Sequence, residues 1–221
     1  MRKLDRNGMP THDLSNETTA AADDTFSQSG RIRTEAINGA ADRQRVSHSL
    51  LMRIAPVFQH AFDGRVHLRH AIELEHAPGT NNPITLVGCL AITPFGVFVV
   101  NHFAWTGLVK PGTNEDELLV VDDFGGVTVH TSPLRRAKPA VRHLRLVLSD
   151  HECPVESIAV LSEAECSLHP TVPDGVLMLS DLRYFLRTRL NRFRATHRRY
   201  LNADSVASQI DWSCSRRRSR P

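Results

Sequence analysis

Four places in this chain hold residue types able to do chemistry. The first is GVFVVNHFAWTG, residues 96–107, where an apolar run ends on Asn101 and His102 and an aromatic pair leads to Gly107. An imidazole there could act as a general base, and an amide oxygen could join the shell of a hard cation. A lone histidine at a strand end serves equally well as a satisfied structural group. The second place is acidic: Glu73 and Glu75 close one apolar run, Asp122 and Asp123 another. With His102 or Asn101 these carboxylates could form a relocated divalent-metal site. Against that, Asp122-Asp123-Phe124-Gly125-Gly126 has the composition of a hairpin turn, and Glu73-Leu74-Glu75 that of a solvated edge. The third is the pair His67 and His70, whose spacing in a strand puts them on opposite faces and argues against a shared ion.

The fourth place is a run of arginines. Arg183, Arg187, Arg194 and Arg198 recur at steps of 4, 7 and 4, and Arg189, Arg192 and Arg199 widen that stripe. Arg216, Arg217, Arg218 and Arg220 follow near the end. A planar guanidinium stays charged and binds phosphate oxygens in pairs. Tyr184, Phe185 and Tyr200 could add stacking surfaces. Arg135, Arg136, Lys138, Arg142 and Arg145, on an earlier helix, could extend the surface. The expected partner is DNA or RNA, held mainly by its phosphates; a merely solvated basic face is the competing reading.

Composition narrows the field. The 221 residues carry a net +3, but from Arg183 onward eleven arginines stand against Asp204 and Asp211, a net +9. That leaves −6 for residues 1–182, so an acidic body meets a basic end. Four cysteines lack any CxxC spacing and read as free thiols, Cys89 and Cys166 buried. No GxxxxGK[ST] loop supports ATP hydrolysis. Neither a signal peptide nor an apolar stretch long enough for a membrane span is present, so a soluble, cytoplasmic protein without membrane contact is expected. The sequence names no protein partner.

The elements that must position these groups follow from periodicity. Residues 43–62 place Val46, Leu50, Ile54 and Val57 at helical spacing, with Pro56 as a kink or an end. Residues 65–74 alternate as Val66, Leu68, His70, Ile72 and Leu74, a half-buried strand. Residues 84–92 form a strand buried on both faces, and TPFG turns it into the GVFVV strand. KPGTNEDE (110–117) reads as a loop, LLVVDD and VTVHT as a hairpin. Ser132 and Pro133 open a helix to residue 148, with Pro139 inside its pattern. ESIAVLS and GVLMLS are short strands. Asp181 precedes a helix whose stripe is Leu182, Leu186, Leu190, Phe193, His197 and Leu201. The polar segment 1–44 and the basic tail 203–221 read as disordered, with one domain over 45–202. The fold class is α/β, a mixed central sheet flanked by helices.

This order, and the wording of residues 84–148, resemble the NERD (nuclease-related) domain of the restriction-endonuclease-like superfamily. The matching phrases are Gly96-Val97-Phe98-Val99-Val100, Trp105-Thr106-Gly107, Ser132-Pro133-Leu134, Ile158-Ala159-Val160-Leu161 and Ser180-Asp181-Leu182, within residues 45–190. The resemblance implies a restriction-endonuclease-like fold and a magnesium-dependent nuclease centre of aspartate, glutamate and lysine. Counting back from Gly107, the family's glutamate falls on Asn101 and its lysine on Phe103. Along the hairpin its aspartate falls on Gly88 and its histidine on Cys89, and its late-helix glutamine falls on Arg136. The first-helix glutamate has no counterpart, since no acid lies between Asp42 and Asp63. Shifting the register by one brings His102 to the glutamate position, which still supplies no carboxylate. The expectation is a pseudoenzyme that keeps the frame and binds nucleic acid or serves as an accessory factor in DNA metabolism, with no cofactor. Magnesium belongs only to the alternative of a nuclease with relocated carboxylates, and a protein-interaction module is the third possibility.

Overall fold

A computed structural model describes residues 48–49, 51–62, 65–76, 84–162 and 164–218, with side chains as far as Cys214. The expected disorder of 1–44 lies outside the described residues. The first element is helix α1, residues 51–61, which runs on past Pro56 rather than ending there. Then come β1 (His67–Glu75), β2 (Ile84–Thr93), β3 (Gly96–Phe103), β4 (Gly107–Pro111), β5 (Glu117–Val121) and β6 (Val127–Thr131). Helix α2 (Pro133–Val147) precedes β7 (Val155–Leu161), β8 (Cys166–Leu168) and β9 (Val176–Met178). Helices α3 (Leu182–Thr196) and α4 (Ala203–Arg218) complete the unit. No helix among the described residues is long and apolar enough to cross a membrane.

The chain is mixed α/β, but it builds two sheets where the sequence suggested one. The first has the order β1-β2-β3-β7-β9, the second β6-β5-β4-β8. In the first, β1, β2 and β3 form an antiparallel meander, while β3, β7 and β9 run parallel. A parallel neighbour needs a crossover, and α2 lies within it. Pairing of β4 with β8 is also parallel, so both sheets are mixed. Strands β4 and β8 went unseen in the sequence because each is short and polar-flanked; β4 runs into the segment taken for a loop.

Helices cover both faces of the first sheet. On one side α1 and α3 set Ile54, Phe58, Leu182, Phe185, Leu186 and Phe193 against Cys89, Ala91, Phe98, Val100, Ile158 and Val160. On the other, α2 and α4 set Ala140, Val141, Leu144, Val206 and Ile210 against Leu90, Ile92, Val97 and Val99. Strands β2 and β3 are therefore apolar on both faces, as their unbroken apolar runs required. A third cluster, around Val109, Leu118, Ala159 and Leu161, joins the two sheets. Gly107 makes the passage between them: its φ is +95°, and an added Cβ would lie 2.2 Å from the Val121 carbonyl oxygen.

Three other expectations are corrected. The alternation of β1 does not hold to one face. Val66 and Leu68 pack with α1 and α3, whereas Ile72 and Leu74 pack with α2 and α4. The switch occurs at Ala71, whose φ of +49° breaks the pleat opposite Gly88. Helix α3 stops at Thr196, and His197 leaves the helical stripe to lie flat on Phe193 with ring centroids 4.0 Å apart. Finally, residues 203–218 are not a loose tail but helix α4, and the packed unit runs past residue 202. Val206, Ala207 and Ile210, spaced four and three apart, are buried against β2 and α2. Asp204 bonds to His67 (2.7 Å) and Asp211 to Arg69 (3.1 Å), pinning α4 along β1. These few apolar residues were hidden by the arginine-rich end that follows.

Candidate functional site

Strands β2 and β3 pair from Thr93↔Gly96 as far as Cys89↔Val100. The next residues are Gly88 and Asn101, so these two positions adjoin where the ladder stops. On its other side Asn101 pairs with Ala159 and Phe103 with Leu161. Alternation puts Asn101 and Phe103 on the side where Val97 and Val99 meet α2, and His102 on the side of α1 and α3. Three positions that could have carried a metal centre thus lie together at one sheet end. What they carry does not suit a divalent ion. Gly88 has no side chain, Asn101 offers one neutral oxygen, and Phe103 offers none, whereas a hard cation wants several oxygens and negative charge. Phe103 instead packs on Trp105 (4.9 Å between centroids), which stacks on His130 of β6 (4.7 Å). Arg136, at the glutamine position, is exposed on α2.

The alternative carboxylates are not brought together. Asp122 closes the β5–β6 turn: its Oδ1 accepts the Phe124 and Gly126 amides at 2.9 and 2.7 Å. Asp123 is exposed at the same tip. Glu73 is on β1 of the other sheet, with Glu75 beyond it. Among the described residues no three histidine, cysteine, aspartate or glutamate side chains converge as a metal site would need. His67 is held by Asp204, while His70 meets His48 edge to face, so the two histidines work separately. His102 does gain a partner the sequence could not disclose. Its Nε2 and the Ser162 hydroxyl share a 2.5 Å hydrogen bond, and the Arg53 guanidinium donates to the Ser162 carbonyl at 3.2 Å. Sixty residues separate the pair, and only the parallel β3–β7 register joins them; the bond ties those strand ends together.

None of the four cysteines is in a disulfide among the described residues, and Cys89 and Cys166 are buried. Burial pushes the Cys89 thiol up to about 12 from 9.0. Cys153 is likewise raised to about 12 by burial, against a smaller lowering by the Val97 backbone hydrogen bond. Neither is a nucleophile at neutral pH.

Basic residues remain, and the fold sorts them. Arg183, Arg187 and Arg194 are exposed on one flank of α3, where a helix of 3.6 residues per turn brings steps of 4 and 7 into register. Arg194 donates to the Tyr200 hydroxyl at 2.6 Å, and Arg183 lies 3.5 Å from His60 of α1. Arg189 is committed elsewhere, bonded to Glu156 at 2.8 Å and laid over Phe185. Arg192 is exposed on the opposite flank, and Arg198 and Arg199 lie beyond the helix end. Tyr184 is 77% exposed. The α2 cations do not extend this surface, because α2 covers the other face of the sheet. Arg216, Arg217 and Arg218 fall at the end of α4. The single basic surface expected from sequence is two, back to back. Sequence reasoning missed His76 and His143 as well, which line a groove with Arg135, Lys138 and Arg142; His76 follows β1, and no spacing links it to α2.

Comparisons of the chain with protein-family models, with curated proteins and with solved structures find no match.

Proposed function

We propose that this chain is a NERD-like domain with a restriction-endonuclease-like fold, in which packing has replaced the metal-dependent centre and nucleic-acid binding is the surviving activity. An antiparallel meander, a crossover containing α2 and a parallel β7 support that frame. Phe103, Trp105 and His130 stacked at the sheet end support the loss of cleavage chemistry. The observation that carries binding is α3 itself: fifteen residues without an acid, with Arg183, Arg187 and Arg194 exposed in line and Tyr184 open beside them. Such a face holds phosphates without reading bases, and its tyrosine gives an unpaired base a surface to stack on. The role this fits is an accessory factor in DNA metabolism.

The test is binding of labelled single- and double-stranded DNA at two salt concentrations, with and without magnesium. Salt-sensitive retention without cleavage supports the reading; magnesium-dependent cleavage overturns it in favour of a nuclease with displaced carboxylates. A specific observation keeps a protein-interaction module in view. Phe124 is 98% exposed at the β5–β6 tip, and Val127 and Val129 stand open on the edge strand β6. Absence of DNA retention at any salt concentration selects that reading.

A further inference from the structure

Basic residues on the α2 side converge on a groove of their own. A groove of about 550 Å³ lies between α2 and the end of β1, lined by His76, Arg135, Lys138, Arg142 and His143, with no carboxylate in its walls. Steps of three and four put Arg135, Lys138 and Arg142 on one flank of the helix. Asp116 braces two of them, at 3.3 Å from Arg135 and 3.5 Å from Lys138, and one carboxylate against two cations leaves the flank positive. The Arg142 side chain is exposed and has no partner among the described residues. His76 points the same way: its Nε2 is enclosed and has no hydrogen-bond partner among the described residues. A buried polar nitrogen left so is unfavourable unless something completes it. The neighbouring cleft shares His143 and is lined by Ser213 and Cys214 of α4.

We propose that this groove is a phosphate-binding site, separate from the α3 face, in which Arg142 and Lys138 take the phosphate oxygens and His76 donates or accepts the remaining hydrogen bond. Asp116 holds the Lys138 ammonium in place, and the guanidinium of Arg142, unpartnered among the described residues, offers the planar fork that binds phosphate oxygens in pairs. The volume fits a ligand of nucleotide size. The phosphate is that of a free nucleotide or of a polynucleotide backbone, and the two sources are separable by experiment.

Titrate the full chain calorimetrically with inorganic pyrophosphate, and by fluorescence anisotropy with a twelve-nucleotide DNA strand. Compare Arg142→Gln, His76→Gln and, on the other face, Arg187→Gln/Arg194→Gln. Arg142→Gln is expected to weaken pyrophosphate about tenfold, as loss of a charge-assisted hydrogen bond does, without moving the melting temperature. His76→Gln is expected to weaken it by a smaller factor, and the α3 pair to leave it unchanged. If Arg142→Gln weakens only the DNA strand, the site is a backbone site. Indifference of both probes to both α2-side variants overturns the proposal. In that case a DNA strand still weakened by the α3 pair leaves the α3 reading standing. Pyrophosphate lost with Arg142 while DNA ignores the α3 pair overturns the α3 reading instead.

Discussion

Replacing Arg183, Arg187 and Arg194 together by glutamine tests the α3 face with a number attached. The three span twelve residues of helix, eleven rises of 1.5 Å or about 16 Å, on one exposed flank. If each neutralises one phosphate, the slope of log K against log salt contains about −2 from this flank for a single strand, at roughly −0.7 per contact. For a duplex the figure is about −2.7. Between 50 and 200 mM salt these slopes correspond to about 20-fold and about 40-fold of affinity. The triple variant should therefore flatten the slope by about 2 units on a single strand, and by more on a duplex. The assay is fluorescence anisotropy over five salt concentrations, with circular dichroism to show that α3 survives. Glutamine keeps helix propensity close to that of arginine and leaves a shorter polar side chain without the charge. Arg189→Gln is the contrasting variant, since that guanidinium is occupied by Glu156 and Phe185. It should leave the slope almost untouched. A slope in the triple variant within 0.5 of the parent would refute the assignment of the phosphate contacts to this flank.

Three further outcomes follow from the packing. Gly107→Ala puts a Cβ 2.2 Å from the Val121 carbonyl oxygen at a φ of +95°, and should lower unfolding free energy by about 3 kcal/mol or more in urea melts; a loss under about 1 kcal/mol would show that the passage between sheets adapts. Ile210→Asp buries a carboxylate in the cluster under α4, and should cost about 3 kcal/mol and open residues 203–218 to protease; an unchanged cleavage pattern would mean that α4 is not docked in solution. The thiols of Cys89 and Cys153 stay protonated in the fold up to about pH 12, against 9.0 when unfolded. Their contribution to stability is therefore fully present below pH 9 and is lost as pH rises towards 12. At pH 8 a thiol reagent should label them far more slowly in the native chain than in urea, and equal rates would count against their burial.

The sequence disclosed elements wherever apolar spacing was long and regular. Strands β2 and β3 and helices α2 and α3 were legible because each buries a continuous stripe, and Ser132-Pro133 marked the start of α2. What escaped it depends on partners distant in the chain. Ala71 reverses the face of β1 through a backbone angle that no side-chain alternation encodes. Strand β8 pairs with β4 across nearly sixty residues, and β4 itself lies between β5 and β8. Helix α4 rests on three small or branched residues and two ion pairs to β1, a signal too weak to outweigh the charge that follows it. The arginine run was visible as composition, but composition has no side. Only the sheet decides that α3 faces one way and α2 the other. His102 and Ser162 likewise meet only through the parallel register.

The proposed reading has its strongest consequence at the β3 end, where a lysine placed at Phe103 should confer no cleavage. Phe103 is half-buried, packed on Trp105 in the cluster that joins the two sheets, and Trp105 in turn covers His130. Phe103→Lys removes that aromatic pair and brings an ammonium group beside Leu161 of β7, with Asn101 in place of a carboxylate two residues before it on the same face. A partly buried phenylalanine lost in this way costs about 2 kcal/mol, more if the charge stays desolvated. The expected result is a lower melting temperature and no cleavage of DNA at any magnesium or manganese concentration. Asn101→Glu is the complementary change: alone it adds one carboxylate, too few for a hard cation that requires several oxygens, and should gain no cleavage either. Magnesium-dependent cleavage by either single variant would show that a working metal site lies one residue away and that packing has not replaced chemistry there. If both lose stability without gaining activity, the stacked rings contribute to the packing between the two sheets rather than to chemistry.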